Sequence, residues 1–87
     1  MKRNIEMTPE QDQLILGRAL RALRKQAGIT QEQLAERLAV DPTFVGRLER
    51  GQRGAHWRTI RRILAALDTG VGEFATEIDA AERELRG

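Results

Sequence analysis

The stretch that decides the fold is GITQEQLAERLAVDPTFVGRLERGQRG, residues 28–54. It predicts two short helices joined by a very short connection, Ala39-Val40. The first helix is predicted to begin after Thr30, because a threonine N-cap followed three residues later by Gln33 has the spacing of a capping box. Its apolar side chains share one side and predict packing against a core: Leu34, Ala35 and Leu38.

The second helix of the stretch combines a strong start signal with a glycine near its middle. Asp41 is a favourable N-cap, and Pro42 suits the first helical turn. At 100° per residue, Val45 and Leu48 share one side, with Phe44 at its edge. The opposite side carries Thr43, Gly46, Arg47 and Arg50. Because glycine inside a helix costs about 1 kcal/mol relative to alanine, the presence of Gly46 on this side needs an explanation.

The rest of the chain also predicts helices, since no stretch alternates with period two for long enough to form a strand. The first helix begins at a capping box, Thr8 and Gln11, and ends at Gly28. The fourth is expected to turn Trp57, Ile60, Leu64 and Leu67 inward, with Ile63 at the margin. The fifth carries a narrow stripe of Phe74, Ile78, Ala81 and Leu85. We therefore predict an all-α, five-helix domain over residues 1–87, with its core at about 9–75 and a C-terminal helix at 71–85.

Composition limits the classes of protein to which the chain can belong. It has no cysteine, so disulfides and thiolate metal sites are excluded. No apolar run approaches the roughly 20 residues of a membrane span. The start, MKRNIEMTPE, lacks the apolar segment of a signal peptide. These features predict a cytoplasmic protein without a membrane partner.

Charge is distributed unevenly along the chain, although the net charge is only +2. Residues 1–41 carry seven basic and six acidic side chains, or +1. Residues 42–62 carry six arginines and one glutamate, or +5, whereas residues 63–87 carry two arginines and six acids, or −4. A central basic block beside an acidic tail indicates a polyanion-binding surface and a separate task for the C-terminus. A solvated arginine-rich surface would give the same pattern.

An enzyme is not expected. With one histidine, no cysteine and no acidic cluster in an apolar cleft, the sequence offers no nucleophile–base pair and no metal-ligand set. No catalytic residue, metal or cofactor is therefore predicted.

Residues 28–54 resemble the helix-turn-helix regulators of the lambda-repressor/Cro (XRE) type. The likeness includes Thr30-Gln31, Leu34-Ala35 and Val40, then Val45, Leu48, Glu49 and Gly51, and it continues through Ile60, Ile63 and Leu67. It covers roughly residues 14 to 75. A narrower likeness, through VGRLERGQR, is to the restriction-modification controller proteins. The resemblance implies double-stranded DNA as the partner, with helix 3 in the major groove and helix 2 across the backbone.

The resemblance also implies which side chains meet DNA. The expected DNA-binding residues are Gln31, Pro42, Thr43, Gly46, Arg47, Arg50, Gln52 and Arg53. Arg47 is the candidate for bidentate bonding to guanine, with a phosphate contact as the alternative. Thr43 is expected to touch a thymine methyl group or a phosphate. At Gly46 a side chain would hold the helix off the groove floor, unless glycine is merely tolerated there.

Phosphate contacts are expected around both ends of the motif. Gln31 matches the family position at the start of helix 2, where backbone amides and the glutamine commonly meet a phosphate. Arg50, Gln52 and Arg53 flank the end of helix 3 and are expected to bind phosphates. Asp41 and Pro42 depart from the polar residues that many relatives have there, so DNA shape is expected to supply part of the specificity.

Basic residues farther along the chain have two interpretations. His56 is either a groove contact or a plain surface residue. Arg58, Arg61 and Arg62 either bind DNA or form a solvated helix surface.

Other positions are predicted to be structural or to mediate self-association. Arg24 and Glu49 match family positions that form an ion pair, which is worth only about 0–1 kcal/mol if exposed. Trp57 is expected in the core, with a subunit interface as the alternative. Ile78, Ala81 and Leu85 either extend the contact with helix 1 or dimerise; we expect a homodimer, whose recognition helices would lie about 34 Å apart on a near-palindromic operator.

The predicted function is a small dimeric repressor that binds DNA sequence-specifically and is nucleoid-associated when bound. The alternative is an antitoxin or co-regulator whose main task is to bind a protein partner, such as a toxin or polymerase, through residues 76–87.

Overall fold

The computed structural model describes residues 7–87; residues 1–6, the charged start of the predicted domain, lie outside it. It contains five helices and no strand in the described part of the chain: α1 Pro9–Gln26, α2 Gln31–Leu38, α3 Pro42–Glu49, α4 Trp57–Ala66 and α5 Val71–Arg86. The predicted five-helix, all-α fold is confirmed. None of these helices combines the length and apolarity that a membrane span requires.

The first three helices begin where their sequence signals predict. Thr8 Oγ1 accepts a hydrogen bond from Gln11 N (3.1 Å), and Gln11 Oε1 accepts one from Thr8 N (3.0 Å). The same reciprocal pair joins Thr30 and Gln33 at 2.8 and 3.0 Å. Such caps satisfy N–H groups that have no partner within the helix.

The turn between α2 and α3 depends on the backbone conformation of Ala39, which the sequence does not predict. Ala39, the C-cap of α2, has φ 57° and ψ 45°, which is left-handed backbone. A Cβ makes this conformation unfavourable by about 1–2 kcal/mol. The turn is closed by Val40 N donating to Ala35 O at 3.0 Å. This tight turn fixes the angle at which α3 leaves α2.

The core lies where α1, α2, α3 and α4 meet. Its most deeply buried large side chains are Leu20, Leu34, Val45, Leu48 and Ile63, with Phe74 of α5 packed against them.

Two expectations for α4 are wrong. Ile63 is 1 % exposed and lies in the core rather than at its margin, whereas Trp57 is 52 % exposed. Trp57 is the first residue of α4, where the helix has not yet reached the core. Its ring lies beside Phe74, with ring centroids 6.4 Å apart.

A glycine allows α1 to cross the end of α3 with backbone against backbone. An ideal Cβ on Gly17 would lie 2.4 Å from Leu48 O and 2.7 Å from Glu49 O. Only a residue without a side chain fits between these carbonyl groups, so Gly17 sets the distance between α1 and α3.

Helix α5 packs along α1, and this placement changes the interpretation of its apolar stripe. Ala81 is 4 % exposed in the single chain. On the same side of α5, Glu77 accepts a hydrogen bond from Gln26 (3.0 Å), and Glu84 pairs with Arg18 (3.2 Å). Because Ala81 is already buried within the single chain, its position favours the alternative that this stripe extends the contact with α1, and its predicted role in dimerisation stays a prediction. Ile78 and Leu85 are only half-buried.

Candidate nucleic-acid interface

The outward side of α3 carries polar side chains because its other side is anchored in the core. Val45 and Leu48 are 1 % and 2 % exposed. Thr43, Arg47 and Arg50 are exposed. The helix therefore presents a polar, arginine-bearing surface, as the periodicity of the sequence predicts.

Asp41 begins α3 and contributes a negative charge at its edge. One carboxylate oxygen, Oδ1, accepts a hydrogen bond from Thr43 N at 2.8 Å. This bond from the Thr43 backbone lowers the pKa of Asp41 below its usual value, because it stabilises the ionised carboxylate. The carboxylate of Asp41 thus acts as the N-cap of α3. Pro42, the next residue, is exposed, but its side chain has no group that could hydrogen-bond to a base.

Gly46 is covered by the side chain of Arg50 and is not exposed to solvent. It is buried, and an ideal Cβ there would lie 2.9 Å from Nη1 of Arg50. The atoms that cover it are the flexible end of an arginine and not the protein interior. The absence of a side chain at position 46 therefore lets the Arg50 guanidinium fold back across the outer surface of α3, a reason for the glycine that sequence reasoning missed.

A buried ion pair ties the end of α3 to α1. Arg24 Nε and Nη2 donate to Glu49 Oε2 and Oε1 at 2.6 and 2.9 Å, and Arg24 Nη1 donates to Ile29 O at 2.7 Å. The two residues are 8 % and 7 % exposed. The hydrogen bond to Glu49 raises the pKa of Arg24 above its usual value, and the charge of Glu49 adds to the effect. The predicted ion pair is present, but because it is buried, the small stabilisation free energy expected of an exposed pair does not apply to it.

Gln31 is connected to the same ion pair. Its amide Nε2 donates to Glu49 Oε1 at 3.0 Å. The first residue of α2, the last residue of α3 and α1 are thus held by one set of hydrogen bonds. Gln31 is half-buried, so a phosphate would meet a side chain that the protein has already oriented.

A cleft beside this network contains a basic residue that the sequence interpretation missed. It is lined by Arg21, Arg24, Gln31, Glu49 and Arg50, with a volume of about 310 Å³. Arg24 and Glu49 neutralise each other, whereas Arg21 and Arg50 form none of the salt bridges found among residues 7–87. Arg21 is one helical turn before Arg24 and Lys25, and only the tertiary structure brings it to the edge of α3.

The residues after α3 are held in place by local contacts. The Arg53 guanidinium carbon lies 4.3 Å from the centre of the Phe44 ring, and Arg53 Nε donates to Gly54 O at 3.2 Å. Arg50 Nε and Nη2 donate to Gln52 Oε1, both at 3.4 Å. The residues expected to bind phosphates at the end of α3 are all exposed: Arg50, Gln52 and Arg53.

The arginines of α4 divide into two groups. Arg62 donates to Leu38 O, a C-terminal carbonyl of α2, at 2.9 Å. In return, Arg37 of α2 donates to Ala66 O of α4 at 2.8 Å. Arg62 therefore joins α4 to α2, although all three arginines, Arg58, Arg61 and Arg62, are exposed. His56 is exposed at the start of α4 and makes no side-chain cap.

The described residues hold no group of three or more histidine, cysteine, aspartate or glutamate side chains that could bind a metal ion. The chemistry of the surface is that of arginine, threonine and amide groups, which bind anions and hydrogen-bond acceptors.

Comparison with known proteins places this surface in a family. The profile described as a helix-turn-helix domain matches residues 15–76. No curated protein matches the chain.

Solved structures of regulators share the fold. The restriction-modification controller protein C.AhdI from Aeromonas hydrophila is 38% identical, with TM-score 0.67 over 72% of this chain and 96% of its own. The clp gene regulator ClgR from Corynebacterium glutamicum is 30% identical, with TM-score 0.71 over 85% of each chain. The controller protein C.Esp1396I, at 20% identity, shows the fold alone, with TM-score 0.76 over 91% of this chain and 99% of its own.

The likeness to XRE-type regulators and to controller proteins that residues 28–54 indicate is confirmed. The family profile covers well over half of the chain. This chain belongs to the helix-turn-helix family of DNA-binding regulators.

Proposed function

We propose that the protein is a dimeric transcriptional repressor that reads a near-palindromic operator with α3 in the major groove. One observation carries the proposal: the outward side of α3 presents Thr43, Arg47 and Arg50 around a glycine, while α3 itself is locked to the core and to α1. A rigid helix with exposed hydrogen-bond donors is what direct base recognition requires. That two of the similar structures are named controller and gene regulator supports a regulatory task.

Phosphate binding on either side of α3 completes the interface. Arg21, Gln31 and Arg50 line one cleft, and Arg53 follows the helix on its C-terminal side. These contacts supply affinity that does not depend on sequence, and each phosphate neutralised changes the slope of log affinity against log salt by about 0.9. Affinity for a duplex of unrelated sequence is therefore expected to fall steeply as salt rises.

Arg47 is proposed to read a guanine, because its guanidinium can donate two parallel hydrogen bonds to O6 and N7. Arg47→Ala should weaken binding to a duplex selected in vitro by about 1–3 kcal/mol, or about 5- to 150-fold in Kd. Binding to a duplex of unrelated sequence should change far less. The matched control is Arg83→Ala, which removes one exposed arginine from α5.

Fluorescence anisotropy with both duplexes measures this difference. If Arg47→Ala weakens binding to the selected and the unrelated duplex equally, Arg47 contacts phosphate and does not read a base. If neither duplex binds more weakly than with Arg83→Ala, α3 does not enter the groove and the proposed function is wrong.

Gly46→Ala separates helix stability from DNA binding. Alanine favours the helix by about 1 kcal/mol, but its Cβ displaces the Arg50 guanidinium that now lies 2.9 Å away. We expect a more stable protein with weaker operator binding, measured by thermal unfolding and by anisotropy. Gly46→Glu should abolish operator binding, and full affinity in that variant would exclude close approach of α3 to the groove floor.

A regulator is favoured over an antitoxin by the placement of residues 76–87. That segment would have to bind the protein partner, yet Ala81 within it is buried and Glu77 is hydrogen-bonded to Gln26 of α1. Footprinting on the DNA upstream of the gene that encodes the chain tests the regulator directly. Two protected half-sites one helical turn apart are expected for a dimer.

A further inference from the structure

A phosphate contact at the end of α3 is the sequence-based expectation for Arg50, but its guanidinium does not lie at that end. Arg50 is the C-cap of α3, and its side chain extends back along the helix. Its Nη1, Nη2 and Cζ atoms lie 2.9, 3.5 and 3.6 Å from the position that a Cβ would occupy on Gly46. The guanidinium is therefore displaced by one turn toward the N-terminal residues of α3, which are the ones that contact base edges in helix-turn-helix proteins.

Gln52 occupies one edge of the Arg50 guanidinium. Nε and Nη2 of Arg50 both donate to Gln52 Oε1, each at 3.4 Å. A guanidinium carries five N–H groups in a rigid planar arrangement, so these two bonds use the edge formed by Nε and Nη2. The other edge, formed by Nη1 and the second N–H of Nη2, has no hydrogen-bond or salt-bridge partner among residues 7–87. We call this edge the free fork of Arg50.

The free fork of Arg50 has the donor arrangement that a guanine accepts in the major groove. Guanine presents O6 and N7 side by side, and two parallel N–H groups of an arginine bind both. A phosphate also accepts such a pair of bonds. The position of the fork favours the base, because it lies over Gly46 on the outward side of α3. The phosphate cleft with Arg21 and Gln31 lies instead where α3 borders α1 and α2.

We propose that Arg50 reads a second guanine in each half-site through its free fork, and that Gln52 is the positioning residue that orients the guanidinium. The inference deepens the proposed function and rests on it, since it requires α3 in the major groove. One guanine accepts only one such pair of bonds, so Arg47 and Arg50 are assigned to different base pairs. Phosphate binding in the neighbouring cleft then depends mainly on Arg21 and Gln31, with Arg50 at its border.

Arg50→Lys separates base reading from phosphate binding. Lysine keeps the positive charge and binds a phosphate as a point charge, but its ammonium cannot present the planar fork. In fluorescence anisotropy with the full chain, we expect the Kd for a duplex selected in vitro to rise about 5- to 150-fold. The Kd for a duplex of unrelated sequence should change far less. Arg83→Lys, at an exposed arginine of α5, is the matched control and should alter neither value.

A set of selected duplexes with single base-pair substitutions identifies the base that Arg50 reads. The wild-type chain should lose affinity when a G·C pair that an arginine contacts is replaced. Arg50→Lys should bind the original duplex and one of these substituted duplexes equally well, because the contact at that pair is already lost. Arg47→Ala should lose its preference at a different base pair.

Gln52→Ala tests the positioning role of Gln52. The variant keeps the Arg50 side chain but removes the oxygen that holds it, so the preference at the Arg50 base pair should fall. In combination with Arg50→Lys, the same change should cause no further loss of that preference, because the two residues act through one contact. Gln52→Glu should retain the preference, since its carboxylate also accepts hydrogen bonds from Nε and Nη2 of Arg50.

Two results overturn the inference while leaving the proposed function intact. If Arg50→Lys keeps the wild-type preference at every G·C pair while Arg47→Ala loses its own, Arg50 binds phosphate only. If Gln52→Ala lowers the preference equally with and without Arg50→Lys, Gln52 does not act through Arg50. A different outcome marks failure of the proposed function itself: Arg47→Ala and Arg50→Lys would both keep the wild-type Kd for the selected duplex, which would mean that α3 does not enter the groove.

Discussion

Gly17→Ala tests whether backbone contact between α1 and α3 holds the recognition helix. The change adds one methyl group in the middle of α1. That methyl carbon would lie 2.4 Å from Leu48 O and 2.7 Å from Glu49 O, where ordinary contact begins at 3.4 Å. The helices must therefore separate locally by about 1 Å. Both oxygens belong to the backbone, so no side-chain rotation can relieve the clash.

The expected cost follows from two opposing effects. Overpacking a well-packed core costs about 1–3 kcal/mol, and the rigid neighbours favour the upper end of that range. Alanine regains about 1 kcal/mol of helix propensity over glycine. The net destabilisation is then about 2 kcal/mol, which for a domain of this size lowers Tm by about 8–16 °C.

Thermal unfolding followed by circular dichroism measures the effect, with Gly72→Ala as the matched control. Gly72 is also a helical glycine, but an ideal Cβ there meets no atom within 4 Å. The control should unfold at the wild-type temperature or slightly above it. If Gly17→Ala were as stable as Gly72→Ala, the close crossing of α1 and α3 would be wrong, together with its role in fixing α3.

Three further predictions address the ends of α3 and the turn before it. Glu49→Ala leaves Arg24 buried without its partner and should cost about 3–5 kcal/mol in urea unfolding; a cost below about 1 kcal/mol would mean that the pair is solvated. The folded-state pKa of Asp41 is lowered, so its cap contributes stability above its unfolded pKa of about 3.9 and loses it as pH falls through the folded value. Asp41→Asn should therefore remove part of the stability loss below about pH 4, and an unchanged acid profile would contradict the cap. Ala39→Gly should stabilise the protein by about 0.5–1 kcal/mol by relieving left-handed strain, whereas a loss of stability would show that the methyl group of Ala39 contributes to packing.

Sequence reasoning succeeded wherever a few neighbouring residues decide the structure. The capping boxes at Thr8 and Thr30 and the Asp41-Pro42 start depend on hydrogen bonds that span two or three residues. The buried side of α3 follows from helical periodicity, because Val45 and Leu48 must point the same way. The polar side of α3 follows from the same geometry.

The errors occurred where residues far apart in sequence meet. Trp57 is apolar and in helical register, but the start of α4 projects beyond the core. The burial of Ala81 could not be read from its place in the apolar stripe of α5, because it results from the packing of α5 along α1. The contribution of Arg21 to the cleft requires α1 to pass beside the end of α3, and no local pattern near Arg21 indicates that.

Local sequence thus determines the order and the ends of the helices and the side of α3 that faces outward. The reason is that hydrogen bonds and side-chain directions within a helix depend on residues one or two turns apart. The tertiary structure alone decided that Arg24, Gln31 and Glu49 form one buried network, that Arg50 covers Gly46, and that Trp57 remains in solvent. These features depend on how closely helices approach, and the fit of distant surfaces sets that distance.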